Sequence, residues 1–217
     1  LTLRKEEVGF AIPERRKERV TSAVTVIDFE TTGLEVAKGD QIVEIGALKW
    51  REQGIFGVYD ALINPGRDIP AEVTRVHGIT DGMVAAAASP AEAMPELAAF
   101  IGDDTVVMHN VDFDSSFLRK ALAEAGIEKE FSYYDTLVAA RKRYPTAPNY
   151  RLSTLKNLLN LAPFGIMHRA LSDAFVTLQL YLKLENLWAV DSKNILERHL
   201  YDLLARRPTG ARFFLLP

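Results

Sequence analysis

The sequence contains no cysteine. Disulfides, thiolate metal sites and cysteine nucleophiles are therefore excluded. No apolar run is long enough to span a bilayer, and the N-terminus does not read as a signal peptide, so a soluble, cytoplasmic chain with no membrane contact is expected. Charge of either sign is nearly balanced: the net value is -3, which by itself argues neither for nor against a nucleic-acid partner. There is no internal repeat and no low-complexity segment. What is present is a chain of 217 residues, 48% hydrophobic, enough for a large core and one domain with appendages. The expected organisation is a charged N-terminal extension over 1–21, a main domain over 22–188, and a helix and tail over 189–217 packed on that domain. The extension includes "PERRKERV", which reads as a short surface helix or arm.

The charge is distributed unevenly. Ser22 to Asp114 carries sixteen acidic and five basic residues, whereas Ser115 to Arg169 carries four acidic and nine basic. The first block suits a cation site and the second could meet phosphates. The alternative is that sequence blocks do not correspond to surface patches at all.

Val24–Phe29, Gln41–Trp50 and Phe56–Ile63 read as strands, the last two joined by a tight turn at "EQG". Short helices are expected within Ala71–Val84. A helix capped by Ser89 and opened by Pro90 should run to about Ile101. Thr105–Met108 is a short buried strand, and Asp112–Ala125 shows a helical apolar rhythm that stops at Gly126. Asp135–Tyr144, Leu152–Leu161, Ala170–Leu187 and Ser192–Ala205 read as further helices, followed by an apolar tail. Strands first and alternating helices later give an α/β class with a mixed sheet flanked by helices.

The apolar run "VTVIDFETTGLE" carries Asp28 and Glu30 two residues apart, hence on one face of a strand. Side by side at the end of a buried strand, two carboxylates stay ionised only if cations neutralise them. Otherwise they are solvated acids at an exposed strand end. "VVMHNVDFDSSFL" delivers His109 and Asn110 from a strand into a helix, with Asp112 placed as N-cap and Asp114 in the first turn. His109 reads either as a catalytic group or as a satisfied core or loop histidine. "MHRALSDAFVTLQLYL" sets His168 and Asp173 across a helix start. Imidazole exchanges its proton near neutral pH, which suits a base acting on water. Taken alone, His168 could be a loop histidine and Asp173 a first-turn acid favoured by the helix dipole. Four carboxylates without thiolates favour hard divalent ions, Mg²⁺ or Mn²⁺. Two such ions roughly 3.5–4 Å apart would clamp the attacking and leaving oxygens of a phosphodiester.

These residues resemble the DEDDh 3′–5′ exonucleases, which include the proofreading epsilon subunit of bacterial DNA polymerase III. "DFETTG", "HNVDFD" and "HRALSDA" look like the family's three motifs in order, and "GDQIVEIGALKW" and "VHGITDGM" also match, so the likeness covers roughly Val24 to Leu187. The resemblance implies a ribonuclease-H-like fold with a five-stranded mixed sheet. It implies that Asp28, Glu30, Asp114 and Asp173 hold two Mg²⁺ or Mn²⁺ ions, with Asp28 bridging them, and that His168 is the general base. A sister group has Tyr four residues before the last Asp, where this chain has Arg169. Thr31, Thr32, Gly33 and Leu34 would line the 3′-terminal nucleotide, with His77 and Asn110 as further substrate contacts.

The expectation is a 3′–5′ exonuclease releasing nucleoside 5′-monophosphates from the 3′ end of a single strand, with DNA preferred, and with a DNA polymerase or other replication or repair protein as partner. The alternatives are a short-RNA exoribonuclease, a metallophosphatase attacking mononucleotides, and a non-catalytic polymerase-associated module. Glu44 reads as a structural or edge residue. Arg141, Lys142 and Arg143 read either as phosphate contacts or as a solvated, dipole-favoured helix end.

Overall fold

A computed structural model describes residues 23–52, 54–189 and 191–215. The expected N-terminal arm over 1–21 lies outside the described residues. Three strands open the fold as an antiparallel meander: β1 (Val24–Thr31), β2 (Ile42–Arg51) and β3 (Gly54–Leu62). After helices α1 (Ala71–His77), α2 (Asp81–Val84) and α3 (Pro90–Ile101), strand β4 (Thr105–Met108) returns parallel to β1. Helix α4 (Val111–Glu124) leads to β5 (Tyr133–Asp135), parallel to β4. Helices α5 (Thr136–Arg143), α6 (Leu152–Leu158), α7 (Ala170–Leu184) and α8 (Ser192–Arg206) follow. Finally β6 (Phe213–Leu215) pairs antiparallel to β3.

The sheet order is β5-β4-β1-β2-β3-β6, so the sheet has six strands where five were expected. The extra strand comes from the apolar tail. Phe213 stacks on Tyr59 with ring centroids 6.1 Å apart, and Arg212 makes a forked pair with Glu96 at 2.7 Å on each arm.

Side-chain alternation divides the sheet into two faces. Ile27, Phe29, Ile45, Ala47, Tyr59 and Ala61 face α3 and α4. Val24, Val26, Leu48, Trp50 and Val58 face α7 and α8. A third layer packs α5 and α6 against the far side of α7 through Ala140, Leu155, Val176 and Leu180. Helix α7 is thereby covered on nearly every side, which explains why its sequence is apolar all round.

Local chemistry sets the helix starts. Ser89 accepts the Glu92 N–H while Glu92 accepts the Ser89 N–H, a capping box on α3 with Pro90 in its first turn. The C-terminus of α3 is tied to the sheet by Lys49. Its ammonium donates to the Phe100 carbonyl at 2.6 Å and lies 2.9 Å from Asp104. A cation at a helix C-terminus is favoured by the exposed carbonyls.

Candidate active site

Strand β1 carries Val24 and Val26 into the α7-facing core and then, on the same face, Asp28 and Glu30. The strand has left the apolar layer at that point, and both acids are half-buried. Helix α7 starts opposite them. It comes close because β2 has Gly46 directly across from Asp28: a Cβ there would lie 2.1 Å from the Leu171 nitrogen. The result is that one carboxylate oxygen each from Asp28, Glu30 and Asp173 lie within 4.8 Å of one another.

Asp114 joins from the other side. It is 4% exposed, in the first turn of α4, and its Oδ1 accepts the Phe29 N–H at 3.3 Å. Phe29 lies between Asp28 and Glu30, so this contact sets the α4 acid beside the β1 acids.

Four carboxylates in so small a volume repel. Burial, then the charges of Asp114, Asp173, Glu30 and Glu44, pushes Asp28 well above the usual carboxylate range. Burial and the neighbouring acids push Glu30 up to about 8. Burial also pushes Asp114 up to about 8, against the lowering effect of the backbone N–H groups it faces. Asp173 reaches about 6, raised by burial and held back by the His168 imidazole, the His168 N–H and Lys156. Oδ1 of Asp173 is buried with no hydrogen-bond partner. A cluster of hard oxygen donors, forced together and incompletely hydrogen-bonded, fits a divalent cation.

His168 sits on the loop just before α7 with its side chain exposed and its backbone left-handed, φ 61°. Its proximity holds the Asp173 carboxyl back towards the usual carboxylate range. The expected catalytic residues Asp28, Glu30, Asp114, Asp173 and His168 are thus brought to one place.

The expected substrate contacts are less uniform. Thr31 and Thr32 are buried, and their hydroxyls are spent on the turn: Thr31 donates to the Gly33 carbonyl at 2.6 Å, and Thr32 accepts the Gln41 N–H at 3.1 Å. Gly33 packs closely on Asp40, whose carboxylate would lie 2.3 Å from a Cβ. Leu34 projects into solvent, 79% exposed. His77 is buried near Thr31; its Nδ1 accepts the Ile79 N–H at 2.9 Å, and its Nε2 lacks a partner. Asn110 is exposed at the start of α4 with φ 74°.

Four other readings change or sharpen. Asp112 does not cap α4: the cap position is Asn110, and the Asn110 and Val111 N–H groups donate to Asp135 at 3.3 and 3.2 Å. His109 is a packing histidine, hydrogen-bonded to Thr136 Oγ1 at 2.9 Å and to the Tyr150 carbonyl at 2.8 Å. Glu44 lies in a central strand, 2% exposed, and binds Arg169 and the Ala170 N–H. Arg141, Lys142 and Arg143 are exposed at the end of α5, with Arg141 over the Tyr150 ring and Arg143 over the Tyr144 ring.

Asp135, Arg169 and Lys156 were not singled out from sequence as site residues. Only Asp135 had a local signal, an acid immediately before a helical run.

A family model described as exonuclease (RNase_T) matches residues 25–181. A DNA polymerase III PolC-type protein of Thermotoga maritima is 40% identical over 159 residues, which are 73% of this chain and 11% of that protein. A DNA polymerase III subunit epsilon-like protein of Rhodobacter capsulatus is 36% identical over 177 residues, 80% of this chain and 25% of that one. The chain therefore spans a quarter or less of the length of these relatives. Among solved structures, Exonuclease X in complex with 5′ overhanging duplex DNA aligns with a TM-score of 0.61 and 25% identity, over 79% of this chain and 98% of that one. Exonuclease I aligns at 0.65 with 19% identity, over 86% and 44%, and shares the fold. Among the described residues, no helix is long and apolar enough to cross a membrane.

Proposed function

The chain belongs to the exonuclease family, and on that premise we propose that it removes nucleotides from the 3′ end of single-stranded DNA in a reaction dependent on Mg²⁺ or Mn²⁺. The observation that carries this reading is the meeting of Asp28, Glu30 and Asp173 within 4.8 Å, with Asp114 buried beside them. Asp28, Glu30, Asp173 and, from α4, Asp114 would hold the cations. Bound divalent ions supply Lewis-acid polarisation of the phosphodiester and ease the loss of a proton from the attacking water.

The protein's own part is positioning and proton transfer. His168 would take the proton from the attacking water at its imidazole. It is exposed on the loop just before α7, beside Asp173. As the new O–P bond forms, the bond from phosphorus to the 3′-oxygen of the preceding nucleotide breaks; that oxygen takes a proton from solvent, and His168 returns to solvent the proton it received. The products are a nucleoside 5′-monophosphate and a strand one nucleotide shorter with a free 3′-hydroxyl. Leu34, projecting beyond the β1 turn, would give the terminal base an apolar surface. Thr31, Thr32 and Gly33 would shape the backbone of that turn, and His77 would brace it from beneath. Asn110 would contact the substrate from the start of α4.

The exonuclease bound to DNA and the polymerase III relatives support DNA as substrate and a polymerase as partner. The test is digestion of end-labelled single-stranded DNA, duplex DNA with a mismatched 3′ end, and RNA, each with Mg²⁺, Mn²⁺ or chelator. Metal-dependent shortening of DNA from the 3′ end, lost in Asp28→Ala and strongly reduced in His168→Ala, is the expected result. Full activity in folded Asp28→Ala protein would sink the assignment, and preference for RNA would replace the substrate.

A further inference from the structure

The metal-site reading leaves one buried acid unused. Glu44 stands in the middle of β2, 2% exposed, opposite Glu30 and on the same sheet face. A buried carboxylate in a central strand is costly unless every lone pair finds a partner. All of its partners come from one place, 125 or 126 residues further along the chain. Arg169 Nε donates to Oε1 at 2.9 Å and to Oε2 at 3.1 Å, Arg169 Nη2 also donates to Oε1, and the Ala170 N–H donates to Oε2 at 2.8 Å.

Those two residues occupy a junction. Arg169 follows His168 and is the N-cap of α7, yet makes no side-chain cap hydrogen bond of its own. The first N–H groups of a helix need an outside acceptor, and Glu44 supplies one for Ala170. The Arg169 carbonyl accepts the Asp173 N–H at 3.0 Å, so the residue held by Glu44 begins the turn that presents Asp173. On its other side is His168 with φ 61°, a backbone state that costs a non-glycine residue roughly 1–2 kcal/mol per residue and persists only when the surroundings impose it. Gly46, two residues beyond Glu44, leaves the space into which this helix start settles.

We propose that Glu44 and Arg169 are positioning residues: their forked ion pair fixes the junction between His168 and α7, and so sets the proton acceptor and the Asp173 ligand relative to Asp28 and Glu30. Neither need touch the substrate. A forked guanidinium–carboxylate pair holds orientation as well as distance, which a lysine ammonium cannot reproduce. The guanidinium also moderates the repulsion that Glu30 experiences from Glu44. The inference rests on the nuclease reading for its catalytic consequence, but not for its structural one.

The test compares Arg169→Lys, Arg169→Ala and Glu44→Gln with the wild type. Readouts are kcat and KM on single-stranded DNA, the Mn²⁺-induced rise in Tm, and amide hydrogen exchange of the segment 163–172. In the variants kcat should fall roughly 10- to 100-fold, as expected when reacting groups are misplaced by about 1 Å. KM should stay within about twofold, since ground-state binding is not removed. Mn²⁺ should still raise Tm, and exchange in 163–172 should quicken while β1 and β4 are unchanged. Guanidinium ion at concentrations below those that denature should restore part of the Arg169→Ala rate, and urea at the same concentration should not. If Arg169→Ala does not fold, Arg169→Lys and Glu44→Gln decide. Wild-type kcat in folded variants, or a lower Tm with exchange in 163–172 unchanged, overturns the proposal. If the wild type cleaves no nucleic acid the nuclease reading fails, and exchange alone then decides the clamp.

Discussion

The carboxylate of Asp114 accepts a hydrogen bond from the backbone N–H of Phe29, 3.3 Å away, and Phe29 is the residue that separates Asp28 from Glu30. The α4 acid is thus registered on the very strand whose acids repel it. An asparagine at this position keeps the acceptor and the volume while removing a charge. In the metal-free protein at pH 9, Asp114→Asn should therefore raise stability by about 1 kcal/mol, or Tm by about 2–4 °C for a chain of this size. The same change should reduce nuclease activity by roughly 100-fold or more, since metal-site and transition-state charge stabilisation are lost together. Thermal unfolding in chelator checks the first half, and a fall in Tm would contradict it.

The cluster also fixes how stability responds to pH. Glu30 and Asp114 stand at about 8 and Asp173 at about 6, all raised mainly by burial. In the unfolded chain such groups titrate near about 4. The folded protein therefore keeps protons that the unfolded chain has shed. Their contribution to stability is complete below about pH 4 and is lost as pH climbs through 6 towards 8. Glu92 and Glu96 are shifted the other way, lowered by Ser89 and by Arg212, so their contribution is lost only on the acid side. Between pH 5 and 9 the site acids should dominate, and Tm in chelator should decline. Saturating Mn²⁺ should flatten or reverse that decline, because the ions replace the protons. Calorimetric titration at pH 7 should show proton release, with heats that vary with the ionisation enthalpy of the buffer. A metal-free Tm that rises across this range would rule the account out.

Much of the site was legible because its signals are local. Period-two alternation set Asp28 and Glu30 on one face, and the helical rhythm after Asn110 put Asp114 in a first turn. The long apolar run after Arg169 likewise set Asp173 at the start of a long helix. What escaped depends on contacts distant in sequence. β5 is a three-residue strand whose only pairing is parallel to β4, 27 residues earlier, so no alternation could reveal it. Phe213–Leu215 lies in a recognisably apolar stretch, but its pairing with β3 depends on a free sheet edge over 150 residues away. Glu44 looked like any acid in a strand, because its partners Arg169 and Ala170 are distant in sequence. Asp112 had the local form of a cap, yet Asp135 from another segment took that role. The Thr31 and Thr32 hydroxyls bond within their own turn, to the Gly33 carbonyl and the Gln41 N–H, which the motif alone does not reveal.

Gly46 shows how a single missing atom can position a site. Across the sheet it faces Asp28, and a Cβ would lie 2.1 Å from the Leu171 nitrogen and 2.2 Å from the Ala170 carbonyl carbon. Both neighbours are backbone, so nothing flexible can give way. Gly46→Ala should push the start of α7 off the sheet, at a cost of about 1–3 kcal/mol for overpacking. It should also separate Asp173 from Asp28 and Glu30. Mn²⁺ should then raise Tm less than in the wild type, even at temperatures where the variant is fully folded. An unchanged Mn²⁺ response would show that the helix start adjusts without moving Asp173.

Asp135 joins two helices through one carboxylate. Oδ1 accepts the Leu137 N–H at 2.8 Å and the Val138 N–H at 3.2 Å at the start of α5. The same oxygen accepts the Asn110 N–H at 3.3 Å, and Oδ2 accepts the Val111 N–H at 3.2 Å, at the start of α4. Losing a helix cap costs about 1 kcal/mol, so Asp135→Ala should lose about 2–3 kcal/mol for the pair. That corresponds to a fall in Tm of about 4–12 °C. Asp135→Asn should cost less, because its remaining oxygen can still serve one helix while its amide N–H groups confront donors on the other. The effect should extend to catalysis, since Val111 opens the turn that carries Asp114. At a temperature where each variant is fully folded, kcat should fall more than KM changes, and more in Asp135→Ala than in Asp135→Asn. Asn110 should become more tolerant of Gly than of Ala, because its φ of 74° favours a residue without a Cβ. If Asp135→Ala unfolds within a degree of the wild type, the shared cap does not hold these helices. The position of Asp114 must then be set by its bond to Phe29 alone.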